Sequence, residues 1–132
     1  MAAAPVIIQL GGQKYVYAAD MKVITLTRNA STSAKSLRAG SNVDYQVPVG
    51  KLFKGLEFTL TSQVTGSVTA YITDETSANT ANPSNMFVEA ESTEYQSIKF
   101  NCEYDVAAAH YVGVEGVSAS ALVTLVGIQM YP

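Results

Sequence analysis

The chain has 132 residues, of which 48% are hydrophobic and 14% are charged, with one cysteine and a net charge of −3. This length and apolar content suffice for one domain with its own core, and they exclude a mini-protein held by internal disulfides. The eight Lys and Arg residues do not cluster, which argues against a phosphate-binding surface and a nucleic-acid partner. The charged fraction is well below the ~25% of ordinary globular domains, which favours extensive contact with a partner or with further copies of the chain.

The N-terminal residues predict an extended arm that leads into a strand. Residues 1–5 carry little side-chain surface, and Pro5 disfavours a helix. They also lack the basic and apolar regions of a signal peptide, so we expect synthesis in the cytoplasm of a cell. Strands are predicted at residues 6–10, 14–18 and 21–28. The longest apolar run, residues 119–128, is too short to cross a bilayer, so no membrane contact is expected.

Residues 29–42 are rich in Asn, Ser, Thr, Ala and Gly, a composition typical of a long exposed loop. Loops of this length are uncommon without a role. Two interpretations stay open: a solvated connection across the edge of the fold, or a loop that contacts a partner through Lys35 and Arg38. A short helix over residues 33–38, held by Leu37, is a further alternative.

The clearest pattern lies in residues 56–73. Apolar and polar residues alternate in two runs, 56–61 and 68–73, on either side of a segment that contains Gly66. Period-two alternation predicts strands with one apolar face, and the glycine permits a tight reversal, so we expect a β-hairpin here. A strand at residues 43–49 precedes it, and Pro48 favours a strand edge or end.

A second polar loop is predicted at residues 74–85, and four further strands follow, at 86–90, 95–104, 107–115 and 122–130. The last strand is apolar on both faces, as expected for a central strand. About nine strands without a helical period predict an all-β fold, a single antiparallel β-sandwich that is jelly-roll-like. The domain boundaries expected are an arm at 1–5 and one sandwich domain at 6–132.

No residue pattern indicates catalysis or a cofactor. The single histidine, His110, is expected to be partly buried or at an edge, and the single cysteine, Cys102, to be a buried small apolar residue. One His and one Cys cannot complete a zinc site. The sequence contains oxygen ligands for a calcium site and carboxylates for a glycosidase pair, but solvated loop acids are the commoner outcome. The calcium candidates are Asp74, Glu75, Asn79 and Asn82, and the carboxylate-pair candidates are Glu89, Glu91 and Glu94.

A carbohydrate-binding module is the main alternative function, because jelly rolls of this length often bind sugars. Sugar rings stack on aromatic faces, and the chain has eight Tyr and no Trp. The tyrosines that would serve if they face solvent are Tyr15, Tyr17, Tyr71 and Tyr111. The other reading is that most Tyr residues cap the core or fill an interface between copies.

Four segments resemble small accessory proteins of tailed-bacteriophage virions: residues 47–56, 66–68, 111–115 and the closing strand to Pro132. The resemblance implies a non-enzymatic capsid decoration or cement protein, or less directly a tail component, located in the virion. It implies binding outside an assembled shell to the major capsid protein or another virion protein, often as a homotrimer, with no catalytic, cofactor or metal residues to carry over. The contact residues expected on the arm and the two loops are Ala2, Ala3, Ala4, Pro5, Lys35, Arg38, Asp74, Glu75, Asn79 and Asn82.

Overall fold

The computed structural model describes residues 6–17, 21–40, 42–116 and 121–132. Within these ranges the chain forms twelve strands and one short 3-10 turn at Pro83–Asn85. The predicted arm at residues 1–5 lies outside the described residues. The strands are β1 Val6–Leu10, β2 Gln13–Tyr17, β3 Lys22–Ala30, β4 Lys35–Ser36, β5 Arg38–Gly40, β6 Val43–Asp44, β7 Leu52–Ser62, β8 Val68–Glu75, β9 Met86–Ser92, β10 Ser97–Val106, β11 Tyr111–Gly116 and β12 Ala121–Met130.

Two antiparallel sheets face each other, which confirms the predicted all-β sandwich. The six-stranded sheet has the order β10-β7-β12-β3-β5-β6, and the four-stranded sheet has the order β4-β11-β8-β9. Strands β1 and β2 form a separate antiparallel hairpin. Strand β12 lies between β7 and β3, which confirms the central position that the sequence indicates. Burial along it alternates, because Leu122, Thr124 and Val126 on the outer face are only half-buried.

The core lies between the two sheets and is built from their inward-facing alternate residues. Phe53, Phe58 and Leu125 of the larger sheet are fully buried, as are Ile72 and Val114 of the smaller one. Burying side chains of this size stabilises the fold by about 1.5–3 kcal/mol each. The hydrophobic effect across this interface is therefore what holds the two sheets together.

The predicted hairpin at residues 56–73 is wrong in its pairing, although both strands exist. Strand β7 pairs with β10 and β12, whereas β8 pairs with β9 and β11. The connection between them crosses from one sheet to the other, and its Gly66 carbonyl accepts from the Ser62 hydroxyl and the Glu94 N–H. Alternation shows that each strand has an apolar face, but it cannot show whether two such faces lie side by side or oppose each other across a core.

The segment predicted as a loop contains strands within residues 29–40, and the alternative of a helix over residues 33–38 is wrong. Strand β3 continues to Ala30, and β4 and β5 follow as short strands in different sheets. Leu37, between β4 and β5, is fully buried, and its N–H donates to the Val112 carbonyl at 2.8 Å. The predicted strand at 43–49 is reduced to β6 and an isolated bridge from Gln46 to Tyr111.

The β1–β2 turn rests on the outer face of the six-stranded sheet. The Gly11 N–H donates to Glu57 Oε1 at 2.8 Å, and the Gly11 backbone lies directly over Leu56, which is buried. The Gly11 hydrogen bond, assisted by Lys99 at 3.1 Å, lowers the pKa of Glu57. A charged Glu57 therefore fixes the turn to β7.

Among the described residues, no helix has the length and apolar character needed to cross a membrane.

We expect Gly127→Ala to destabilise the protein by about 1–3 kcal/mol, because a Cβ at this buried position would overlap the Lys54 carbonyl oxygen and the Phe53 ring. Urea unfolding followed by circular dichroism measures the change. Gly40→Ala is the matched control, since a Cβ there meets no atom within 4 Å. Equal stability of the two variants would contradict this account of β12 packing.

Candidate functional site

The two loops predicted as contact segments lie against each other. The Asn79 N–H donates to the Ser36 hydroxyl at 2.7 Å, and the Ser36 N–H donates to Asn79 Oδ1 at 3.1 Å. Asn79 adopts a left-handed backbone conformation with φ 55°, which asparagine tolerates better than most residues. This reciprocal pair joins residues 34–38 to residues 74–85, and we call the combined region the loop surface.

Asp44 holds one side of the loop surface together. Its Oδ1 accepts from Arg28 Nη1 and Arg38 Nε, each at 3.0 Å, and its Oδ2 accepts from Asn79 Nδ2 at 3.3 Å. Arg38, predicted as a partner contact, is therefore engaged in an ion pair within the molecule. Lys35 is half-buried on β4, opposite Val114 of β11.

Glu75 holds the other side of the loop surface together. It is almost fully buried, with 6% of its surface exposed. Its carboxylate accepts from the Asn82 N–H at 2.8 Å, from Asn85 Nδ2 at 3.3 Å and from the Thr80 hydroxyl at 3.4 Å. Burial alone raises the pKa of Glu75, but the surrounding donors outweigh it, so its pKa is lowered. The charged carboxylate fixes residues 80–85 from beneath.

The segment after β8 folds back over the outer face of the four-stranded sheet. The Thr80 carbonyl lies so close to Gly113 of β11 that any side chain at position 113 would overlap it. The Thr73 and Glu75 side chains also lie within 3.1 Å of the position that a Cβ at residue 113 would take. A glycine at this position therefore permits the loop to pack on the sheet.

A shallow groove of about 570 Å³ runs along the loop surface. Ala34 forms one side of it, and the segment from Glu75 to Pro83 forms the other. The groove brings together Glu75, Asn79 and Asn82, three of the predicted contact residues.

The fourth predicted contact residue of this loop, Asp74, points the other way. Successive side chains of a strand alternate between faces, so Asp74 faces the gap between the sheets while its neighbour Glu75 faces the loop. Asp74 Oδ1 lies 2.7 Å from His110 Nδ1, and its Oδ2 accepts from the Tyr104 hydroxyl at 3.0 Å. Burial and this hydrogen bond raise the pKa of Tyr104.

Asp74, Tyr104 and His110 line a cleft of about 380 Å³ at the open end between the sheets. The Tyr104 ring stacks on Phe87 of the other sheet, with 4.2 Å between ring centroids and 8° between planes. The remaining lining residues are Thr76, Ser84, Asn85 and Met86. We call this feature the inter-sheet cleft.

Chemically, the inter-sheet cleft offers an oriented imidazole. Because the Asp74 carboxylate only accepts, His110 carries a proton on Nδ1, and a neutral ring keeps Nε2 as an acceptor. Nucleophilic catalysis by this histidine needs a hydroxyl or thiol that is hydrogen-bonded to Nε2. The hydrogen bonds of the described residues include no such partner for Nε2.

The predicted partly buried histidine is correct, but its pairing with Asp74 could not be predicted. The two residues are 36 positions apart in the chain and meet because β8 ends beside the start of β11. The sequence predicts that the second run of alternating residues ends at residue 73, whereas β8 continues to Glu75. A strand of that length places Asp74 and Glu75 on opposite faces.

The donor set around Glu75 does not support the calcium interpretation. Asn82 presents its backbone N–H to Glu75, and Asn79 is engaged with Ser36 and Asp44, whereas calcium requires oxygen atoms directed at the ion. Within the described ranges no group of three or more His, Cys, Asp or Glu side chains could hold a metal ion.

The other predicted residues are dispersed. Ala2, Ala3, Ala4 and Pro5, and the side chains of Tyr15 and Tyr17, lie outside the described residues. Tyr71 is buried and donates to Glu115 at 2.8 Å, so its ring cannot serve as a sugar platform. Cys102 is half-buried against the core, and burial raises its pKa to about 11, which keeps it a thiol.

Comparison with models of known protein families gives no match, and comparison with curated proteins gives none either.

We expect Glu75→Gln to destabilise the protein by about 1–3 kcal/mol near neutral pH, because it removes a buried charge that several donors satisfy. A lowered pKa means that Glu75 contributes stability above its ordinary value of 4.5. This contribution is lost as the pH falls through the folded-state pKa.

Urea unfolding of the wild type and the variant at a series of pH values between about 7 and 3 tests this. The stability difference should shrink as the pH falls below 4.5. Glu89→Gln, at an exposed position on β9, is the control and should change little. A pH-independent difference would refute the role of the Glu75 charge.

Proposed function

We propose that the chain is a non-enzymatic structural protein of a bacteriophage virion, a capsid decoration protein that binds the outside of an assembled shell. The observation that carries the proposal is the loop surface, where two segments distant in sequence form one contact area whose exposed portion after Glu75 carries no charge. The partner would be the major capsid protein or another virion protein.

The loop surface has the chemistry of an interface. Residues 76–88 contain no Asp, Glu, Lys or Arg, and Ser77, Ala78 and Asn82 are exposed. The buried centres of protein interfaces are depleted of charged residues, because charges are costly to remove from water. Neutral side chains here lower the desolvation cost of binding.

The loop surface is also ordered before any partner binds. Glu75, Asp44 and Asn79 fix its backbone through the hydrogen bonds described above. A preformed surface loses less conformational entropy on binding than a flexible loop does. A decoration protein that binds only the assembled shell would then stabilise it by mass action.

We expect Ala78→Arg to weaken binding to shells at least about tenfold, because it places a long charged side chain on the exposed loop surface. The measurement is co-sedimentation with undecorated shells of the virus that encodes the chain. Thr65→Arg, an exposed position in the β7–β8 connection, is the matched control and should bind normally. Failure of the wild type to bind shells would overturn the proposal, and normal binding by Ala78→Arg would exclude the loop surface.

The inter-sheet cleft favours a second candidate function, the binding of a carbohydrate. Its volume lies within the usual range for small-molecule sites, roughly 300–1,000 Å³. An aromatic ring, an imidazole and the Asn85 amide line it, which are groups that hydrogen-bond and pack against sugar hydroxyls and rings.

If this second function is correct, the wild type binds defined sugars on a glycan array and His110→Ala reduces that signal at least about tenfold, since a polar contact is removed. Tyr95→Ala, at an exposed aromatic between β9 and β10 that does not line the cleft, is the control and should bind as the wild type does. An array without signal for the wild type would reject this function.

A further inference from the structure

Strand β10 is a long edge strand with one side free of pairing among the described residues. It is the terminal strand of the six-stranded sheet, and the described residues pair only its β7 side. Its ten residues present backbone N–H and C=O groups that can pair with another strand. The register against β7 is irregular between Asn101 and Tyr104, but side-chain exposure still alternates through this stretch. Edges of this kind are usual sites of strand addition.

The inward face of β10 is incompletely covered. Phe100, Cys102 and Tyr104 pack against the core but stay half-buried, and Ile98 is 38% exposed. The sandwich is therefore open along this edge, with apolar surface that a neighbouring strand would cover.

The outward face of β10 carries charges of both signs. Lys99 and Glu103 are 60% and 61% exposed, although each has an ion-pair partner on β7, Glu57 and Lys54 respectively. Ion pairs this exposed contribute little to stability. Both side chains therefore have surface available to a second strand.

The spacing of these charges is self-complementary. In an antiparallel pairing of two β10 strands centred on Asn101, Lys99 lies opposite Glu103 of the partner subunit, and the two-fold axis repeats the pair. Opposite charges at directly facing positions stabilise a strand pair, and like charges destabilise it. Ile98 then faces Tyr104 of the partner subunit on the inward side.

We propose that two copies of this chain associate through β10, in antiparallel register centred on Asn101, to form a continuous sheet across a two-fold axis. The inference does not depend on the proposed function. It predicts a dimer as the unit in solution, in place of the trimer that the virion resemblance implies, because a pairing of identical antiparallel strands closes after two copies.

A register shifted by two residues is less favourable. Centred on Cys102, the pairing places Lys99 opposite Asp105 of the partner subunit, but it also makes the two Glu103 side chains diagonal neighbours. The register centred on Asn101 brings no two acids into direct or diagonal contact. Repulsion between like charges therefore favours the Asn101 register.

The neighbouring edge strand β9 does not share this property. Its outward-facing charges are Glu89 and Glu91, both exposed, and it contains no Lys or Arg. Two copies of β9 would bring only negative charges together. Charge therefore selects β10 over β9 for self-association.

Charge reversal tests the pairing in the full-length chain. Lys99→Glu and Glu103→Lys each turn both attractive pairs into repulsive ones, so each should weaken the dimer at least about tenfold in sedimentation analysis. An equimolar mixture of the two variants restores both attractive pairs and should recover dimers. Lys35→Glu, a reversal on β4 of the other sheet, is the control and should dimerise normally.

Cysteine cross-linking tests the register without changing charge. Asn101→Cys in a Cys102→Ala background should form an intermolecular disulfide on oxidation, because residues on the axis lie within the Cα distance that a disulfide spans, ~4.4–6.8 Å. Glu89→Cys in the same background should not. Cross-linking of the wild type through Cys102 instead would refute the Asn101 register.

The remaining outcomes overturn the proposal. A wild type that is monomeric at all concentrations, or whose association is unaffected by both charge reversals, would exclude β10 as the interface. If the two variants are folded monomers and their mixture stays monomeric, the Lys99–Glu103 pairing is wrong.

Discussion

The loop surface and the inter-sheet cleft both depend on the side-chain alternation of β8 at its last two residues. Asp74 and Glu75 are neighbours in sequence, yet a strand sends them to opposite faces of the sheet. Glu75 fixes the segment that folds over the outer face, and Asp74 orients His110 and Tyr104 between the sheets. Two carboxylates at adjacent positions of one strand therefore organise two different surfaces.

Buried charge gives the loop surface its order. Glu75 on one side is buried and Asp44 on the other is half-buried, and both have donors on both carboxylate oxygens. A carboxylate removed from water is tolerated only when it is satisfied in this way. The loop between them can then consist of small neutral residues that would otherwise have little to hold them. A neutral exterior supported by charged anchors suits a surface that has to be desolvated on binding.

Strands β9 and β10, two of the edge strands of the sandwich, differ in the charges that they carry. Strand β9 carries carboxylates alone, which repel a second copy, whereas β10 carries Lys99 and Glu103 four residues apart. The same β10 positions also form ion pairs with β7 inside the molecule. Self-association through β10 and contact with another protein through the loop surface use different faces, so the two proposals are physically compatible.

The sequence by itself determined the strands with strong alternation, the central position of β12 and the all-β class. These properties follow from composition and from the period of the side chains, which are local. The tertiary structure alone decided that β7 and β8 face each other across the core, that Asn79 meets Ser36, and that Asp74 meets His110. Each of these depends on contacts between residues far apart in the chain, and a local pattern shows which face of a strand is apolar but not which other strand covers it.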